Sequence, residues 1–548
     1  MIAAVGTATL ALLVFLRAAV LSGFDAVPGF LGDGRFNLAV LEHWHRVALG
    51  AESWRSPGWF HPVPDVLAMS DALALLAPPY VLARLAGADP VAALGLTQAA
   101  AVAVGLAGAL LFLRRLLGLV WPAALAGAVA FATGSALFMT VAGGQVQVIT
   151  VELVPWFAAA VLLTLRRSEA RWPVAAALLL AGMLSTSFYI GWFTGLETLM
   201  VAVLALPASG GALPGWLGRR RLALAAALAV LLLALLPFAA LYGPAALHAP
   251  PRPWETVALT LPDLGQLLQV RDNLFWGALG RTLMPGVPYS STDEMGKGLS
   301  WGLTALFLAT LCRLALGAKA ASEPATRRLA LVLGASVLVG WLLMLRIGDF
   351  SLWSLLYRWV PGGGAIRSVF RFNLVLAFPV ATVAAIGLDA LWRRADGLRG
   401  ARPAALLLGA LVMAEQINLT PTVLSRSRDF AEVEAMPPAP AACRSFVLLP
   451  AAPDPDLRRW SRQTVALMIA QARGLPTLNG YSGMAPPGWG LFNPTDREGY
   501  RRAIVAWADA QRLWPGLCGV DPGQRRWFPL TRSDLTADRA VSSLPSTQ

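Results

Sequence analysis

The stretch VAALGLTQAAAVAVGLAGALLFLRRLLGLVWPAALAGAVAFATGSALFM, residues 91–139, holds two apolar runs parted by Arg114 and Arg115. Each run is about 20 residues long, enough for an α-helix to cross the roughly 30 Å hydrocarbon core of a bilayer. A helix apolar on every face over that length is one that meets lipid or a large interior, not water. The arginine pair marks the turn between the runs as cytoplasmic, because Lys and Arg accumulate in cytoplasmic loops. The reading is an all-α polytopic membrane protein.

Working outward, nine more apolar segments follow the same pattern, eleven in all: about 2–22, 91–113, 118–139, 148–165, 172–189, 191–207, 222–241, 300–316, 329–345, 372–391 and 404–422. The chain has 548 residues, 57% hydrophobic and 14% charged, against about 25% charged in soluble domains. Mean hydropathy is +0.61. This composition excludes soluble multidomain, disordered, fibrous and small secreted proteins. The net charge of +13 does not indicate nucleic acid, because the basic residues sit in short clusters between apolar runs. Arg114/Arg115, Arg166/Arg167/Arg171, Arg219/Arg220/Arg221, Arg313 to Arg328 and Arg393 to Arg402 follow even-numbered spans, while the turn Ala142–Gln147 has no Lys or Arg. The N-terminus is therefore expected in the cytoplasm and the C-terminal tail outside it. The first run has no basic residues ahead of it and is read as a span, not a cleaved signal.

Two domains are expected: a membrane domain, 1–424, with a large first outer loop, 22–89, and a small periplasmic α/β domain, 425–548. A strand is predicted at Arg444–Leu449 and helices at Leu457–Arg473 and Asp496–Leu513. Cys443 and Cys518 can form one disulfide if this region lies outside the cytoplasm. No internal repeat is evident.

The first outer loop opens with Gly32-Asp33-Gly34-Arg35. A carboxylate between two glycines at the membrane surface can act as a general base or hold a divalent cation, though Asp-Gly is also a common turn pair. Phe36 to Leu49 reads as an amphipathic helix in the interface, carrying Glu42, His43 and His45 on its polar side. His43 and His45 do not share a helix face and make a poor metal chelate. His61 lies in an aromatic run, Trp54–Pro62, and Asp71 is a second acidic candidate. Glu152 and Glu197 fall inside spans, where a carboxylate needs a partner or a cavity. Arg367 and Arg371, four residues apart behind a Pro361-Gly362-Gly363-Gly364 turn, are expected to share a helix face and can fork onto a phosphate. Glu294 precedes the eighth segment, and Lys297 can pair with it. Asn479–Gly483 reads as a tight loop able to dock over a site. P-loop, HExxH, CxxC and GxSxG motifs are absent.

The stretches GDGRFNLAVLEHW (32–44), SPGWFHP (56–62), MSDALALLAPPY (69–80), GGGAIRSVFRFNLVLAFPVATVAAIGLDAL (362–391) and GLPTLNGYSGMAPPGW (474–489) resemble, in wording and order, the YfhO-like branch of the GT-C superfamily of integral-membrane glycosyltransferases. The resemblance implies transfer of a sugar from a polyprenyl-phosphate carrier to an envelope glycan or lipid at the periplasmic face of a bacterial inner membrane, with inversion at the anomeric carbon. It implies Asp33 as catalytic base or metal partner (Mg²⁺ or Mn²⁺, if any). Arg35, Glu42, His61, Asp71, Gln145, Glu152, Glu294, Arg367 and Arg371 are the expected substrate-binding residues. Relatives often carry a histidine where this chain reads Gln145, which can hydrogen-bond a sugar but cannot act as a base. The alternative is a non-enzymatic transporter of lipid-linked glycan, or a scaffold of a polysaccharide assembly system.

Overall fold

A computed structural model describes residues 2–209, 211, 213–248, 252–284, 296–317, 324–394, 400–419, 422–449, 459–494 and 496–536. Helices stand at all eleven apolar segments. Six are long and apolar enough to cross a bilayer: Pro90–Leu116, Trp121–Ala142, Val146–Arg166, Phe188–Ala205, Pro324–Met344 and Val369–Arg393. A bent pair, Leu213–Ala234 with Leu236–Ala246, makes up to seven. Ala3–Phe15, Arg171–Thr186, Trp301–Ala315 and Ala401–Ala414 are shorter apolar helices at the remaining expected segments, so among the described residues six or seven helices meet the full spanning length. The chain is a multi-pass membrane protein.

Two helices form the centre. In the most apolar 18-residue window, 89% of residues are buried in Trp121–Ala142 and 83% in Val369–Arg393, against 33% in Pro324–Met344 at the periphery. Small residues let the central pair approach closely, as expected where packing rather than water drives association. A Cβ on Gly127 would stand 2.9 Å from the Ala385 methyl. Helix starts are set by local chemistry. Asp89 accepts from the Val91 and Ala92 N–H groups to open Pro90–Leu116, and proline occupies the first turn of Trp121–Ala132 and of Val154–Arg166.

The chain leaving the first helix pairs with the chain leaving the last. Strand Ala26–Pro28 runs antiparallel to Val423–Ser425, with Val27 opposite Leu424. The expected 424/425 boundary falls inside that second strand. Beyond it, Ser445–Leu448 lies parallel to Leu517–Asp521, which pairs antiparallel with Arg526–Pro529. Helices Arg459–Arg473 and Arg497–Gln511 complete this region, close to the predicted elements. The Cys443–Cys518 disulfide is formed.

The helix Asp33–Ala48 departs from expectation. It does not present a polar side to solvent: residues 34–43 are all buried. Helix Arg459–Arg473 covers it on one side and Ala77–Leu85 packs on another. Loop and tail are laced together by main-chain bonds: Phe60 N–H to Asn479 O at 2.9 Å, His61 N–H to Thr477 O at 3.0 Å, and Thr477 N–H to Gly58 O at 2.7 Å.

Candidate functional site

Asp33 is the first residue of its helix, where unpaired N–H groups and the helix dipole favour a negative charge. It is half-buried. The Tyr481 hydroxyl donates to its Oδ1 at 2.6 Å, and the Tyr481 ring packs edge-on against Phe36 at 5.5 Å. Beneath it lies the 143–147 turn. Gly144 sits at φ +90°, and a Cβ there would stand 2.6 Å from the Gly34 nitrogen, so only glycine permits this approach. Asn37 fixes the turn by donating to Gly144 O at 2.7 Å and to Gln147 Oε1 at 3.1 Å. Gln145 is buried in this turn and its Oε1 has no hydrogen-bond partner.

The docking loop continues the site. Ser482 donates to Met69 O at 2.7 Å, Tyr242 donates to Ser70 O at 2.9 Å, and Asp71 Oδ1 accepts from Phe188 N–H at 3.1 Å. Ser70 is extended (φ −150°, ψ −178°), which separates Met69 from Asp71 by about 7 Å. Asp71 faces Arg371, whose guanidinium lies over the Tyr189 ring, 5.1 Å from its centre. Burial pushes the Asp71 carboxyl up to about 6; the Phe188 N–H and the Arg371 charge hold it from rising further. The Tyr189 hydroxyl accepts from the Arg367 N–H at 3.0 Å. Arg252 closes the circuit: its side chain donates to Gly483 O at 3.1 Å and its N–H to Gly364 O at 2.9 Å. Two buried hydroxyls at this end, Ser187 Oγ and Ser368 Oγ, have no partner.

The structure therefore links Asp33, Asp71, Arg367 and Arg371 through one circuit of hydrogen bonds, short chain segments and the Tyr189 ring, sets Gln145 in the turn beneath Asp33, and leaves others out. Arg35 is buried and holds the tail: it donates to Asp429 O, reaches Ser461 Oγ at 3.5 Å and stacks on Phe430 at 5.6 Å. Burial lowers its pKa. Glu42 takes the Tyr80 hydroxyl and Arg84 Nε, the latter at 2.6 Å. His61 contributes backbone, its carbonyl accepting from Trp507 Nε1 at 2.9 Å. Arg35 and Glu42 thus spend their side chains on contacts within the fold, and the His61 carbonyl does the same. His43 is likewise satisfied, between Glu52 and Trp54 O. Glu152 is packed on Gly105, and neither of its oxygens is hydrogen-bonded. Glu197 accepts from Ser336 Oγ at 2.7 Å. Glu294 lies outside the described residues.

Arg367 and Arg371 do not share a helix face. Arg367 is exposed and precedes the short 3-10 turn Val369–Arg371, whereas Arg371 is buried and turned inward. Tyr481 and Ser482 lie in the loop expected to dock over a site, whereas nothing in the sequence pointed to Arg252, or to Tyr189 as a neighbour of Arg367 and Arg371. Among the described residues no three His, Cys, Asp or Glu side chains gather to hold a metal.

No family model matches the chain, and no curated protein matches it. Among solved structures it is similar to the arabinofuranosyltransferase AftD from Mycobacteria, at 16% identity and TM-score 0.43 over 94% of this chain and 35% of that one. A mutant AftD matches at 15% and 0.46, over 94% and 36%. ArnT from Cupriavidus metallidurans, bound to undecaprenyl phosphate, matches at 15% and 0.38, over 87% and 85%. The chain spans about a third of the AftD length. AftD and ArnT are GT-C superfamily proteins, and nothing among them speaks for the YfhO-like branch. At these scores the likeness carries no inference about chemistry.

Proposed function

We propose that this protein is a membrane glycosyltransferase that moves a sugar from a polyprenyl-phosphate carrier to a hydroxyl of an envelope glycan or lipid. The observation that carries the reading is the pairing across residues 69–71: a half-buried carboxylate, Asp33, on one side, and a buried guanidinium, Arg371, with unpartnered Ser187 and Ser368 hydroxyls on the other. In this reading the acceptor oxygen attacks the anomeric carbon as its proton passes to Asp33. The bond from that carbon to the carrier phosphate breaks, and the configuration inverts. Arg371, with Arg367 at the rim, meets the charge growing on the leaving phosphate. Gln145 Oε1 accepts from a sugar hydroxyl. No step is routed through a metal.

The same reading places the site on the periplasmic face of a bacterial inner membrane, with the N-terminus cytoplasmic and 425–548 as a periplasmic domain. The test is turnover by the purified chain in lipid, given labelled polyprenyl-phosphate sugars and membrane acceptors. Asp33→Asn should cut label transfer by about 10²–10⁴-fold, the usual worth of a general base, while carrier binding persists. Equal transfer by wild type and Asp33→Asn would remove Asp33 as base. Carrier binding with no transfer by either would favour a transporter or scaffold.

A further inference from the structure

An apolar groove lies away from this circuit. The first helix, Ala3–Phe15, stands off from Trp121–Ala142 and Ala401–Ala414, leaving a groove of about 260 Å³. Its walls are apolar, with Leu10, Val14, Val129, Ala410 and Met413 among them, and polar residues, Arg17, Gln416 and Asn418, gather at one end. From Thr7 to Arg17 the wall is ten residues long, about 15 Å at helical rise. That is half of the roughly 30 Å bilayer core, the depth of one leaflet. The volume exceeds the ~150 Å³ that holds a benzene-sized guest and stays under the ~300 Å³ of the smallest drug-sized pockets. It suits a single hydrocarbon chain.

Arg17 decides what the chain carries. Its guanidinium donates to Val14 O at 3.1 Å and to Asn418 O, and lies 5.0 Å from the Phe138 ring centre. All these partners are neutral, and among the described residues no carboxylate pairs with it. A half-buried cation without a counter-charge at the mouth of an apolar slot calls for an anion on an apolar tail. None of the groove residues belongs to the Asp33–Arg371 circuit, so a carrier seated here would hold its sugar away from the proposed base.

We propose that the groove binds one acyl chain of an anionic glycerophospholipid, with the phosphate at Arg17. The test is native mass spectrometry of the full chain titrated with phosphatidylglycerol, phosphatidylcholine of equal chain length, and undecaprenyl phosphate. Wild type should retain phosphatidylglycerol over phosphatidylcholine by about fivefold, the worth of one charge near a headgroup. Arg17→Gln should erase that preference and Arg17→Lys should keep it. Ala410 is exposed on the outside of the bundle, so Ala410→Phe fills the groove without entering the core and should lower retention of both phospholipids. Unchanged preference in Arg17→Gln would overturn the proposal. So would one-for-one displacement of phosphatidylglycerol by undecaprenyl phosphate, which would give the groove to the carrier instead.

Discussion

Asp33 and Glu42 are carboxylates on one helix, nine residues apart, and their surroundings differ in kind. Glu42 is buried, and its oxygens are taken by Tyr80 and Arg84. Asp33 is half-buried at the helix start and meets a neutral hydroxyl from a chain segment 448 residues away. Under the proposed function, the difference is that between an acid kept for chemistry and one used as a strut. A strut has its charge answered inside the fold, at the cost of desolvating both partners. A base keeps an edge toward solvent and a partner that can let go.

Substituting the two residues gives the largest expected contrast. Glu42→Ala leaves Arg84 and the Tyr80 hydroxyl without their carboxylate, and removing one member of a buried pair costs about 3–5 kcal/mol. Its melting temperature should fall, and transfer per folded molecule should be unchanged. Asp33→Asn should do the reverse, keeping the melting temperature and losing transfer. If Glu42→Ala instead abolished transfer while melting normally, the assignment of roles along this helix would be wrong.

Tyr481→Phe probes the bond itself. It removes one hydrogen bond to a charged group, about 1.5–3 kcal/mol at most, and keeps the ring against Phe36. Transfer should fall roughly tenfold, and the acid limb of its pH profile should move upward, because Asp33 loses a donor that favours its ionised form. A merely structural tyrosine would lower the melting temperature and leave the acid limb in place.

Much of this contrast could not be read along the chain. Periodicity found the helix that begins at Asp33, and hydropathy found the eleven helical segments, because both signals are local. The strand Ser445–Leu448 also followed from local composition, which only allowed the Cys443–Cys518 bridge and the docking of Asn479–Gly483 that the fold makes. Partnership was not local. Arg35 looks like a ligand residue beside Asp33, and only the fold brings Asp429, Ser461 and Phe430 to it. The amphipathic pattern of Phe36–Leu49 was real, but the tail helix Arg459–Arg473 took the place expected of solvent. The four-residue spacing of Arg367 and Arg371 implied one face only if a regular helix ran through both. The chain turns at Ser368 (φ −92°, ψ 78°) before its 3-10 start, which sends one arginine out and the other in.

The smallest expected effect compares Asp33 with the third acid, Asp71, whose partner is a charge. The Asp71 carboxyl titrates at about 6 in the fold, against an ordinary 3.8. The folded state therefore binds this proton more tightly than the unfolded chain, so the associated stability is complete below about pH 3.8 and is lost as pH rises through about 6. Asp71→Asn keeps an oxygen to accept from Phe188 N–H and cannot ionise. It should melt like the wild type at pH 4 and higher than it at pH 7.5, by on the order of 2 °C. A variant that melted lower at pH 7.5 would mean that the Arg371 attraction outweighs burial. Asp71 would then be a strut like Glu42, with its charge fully answered by its neighbour.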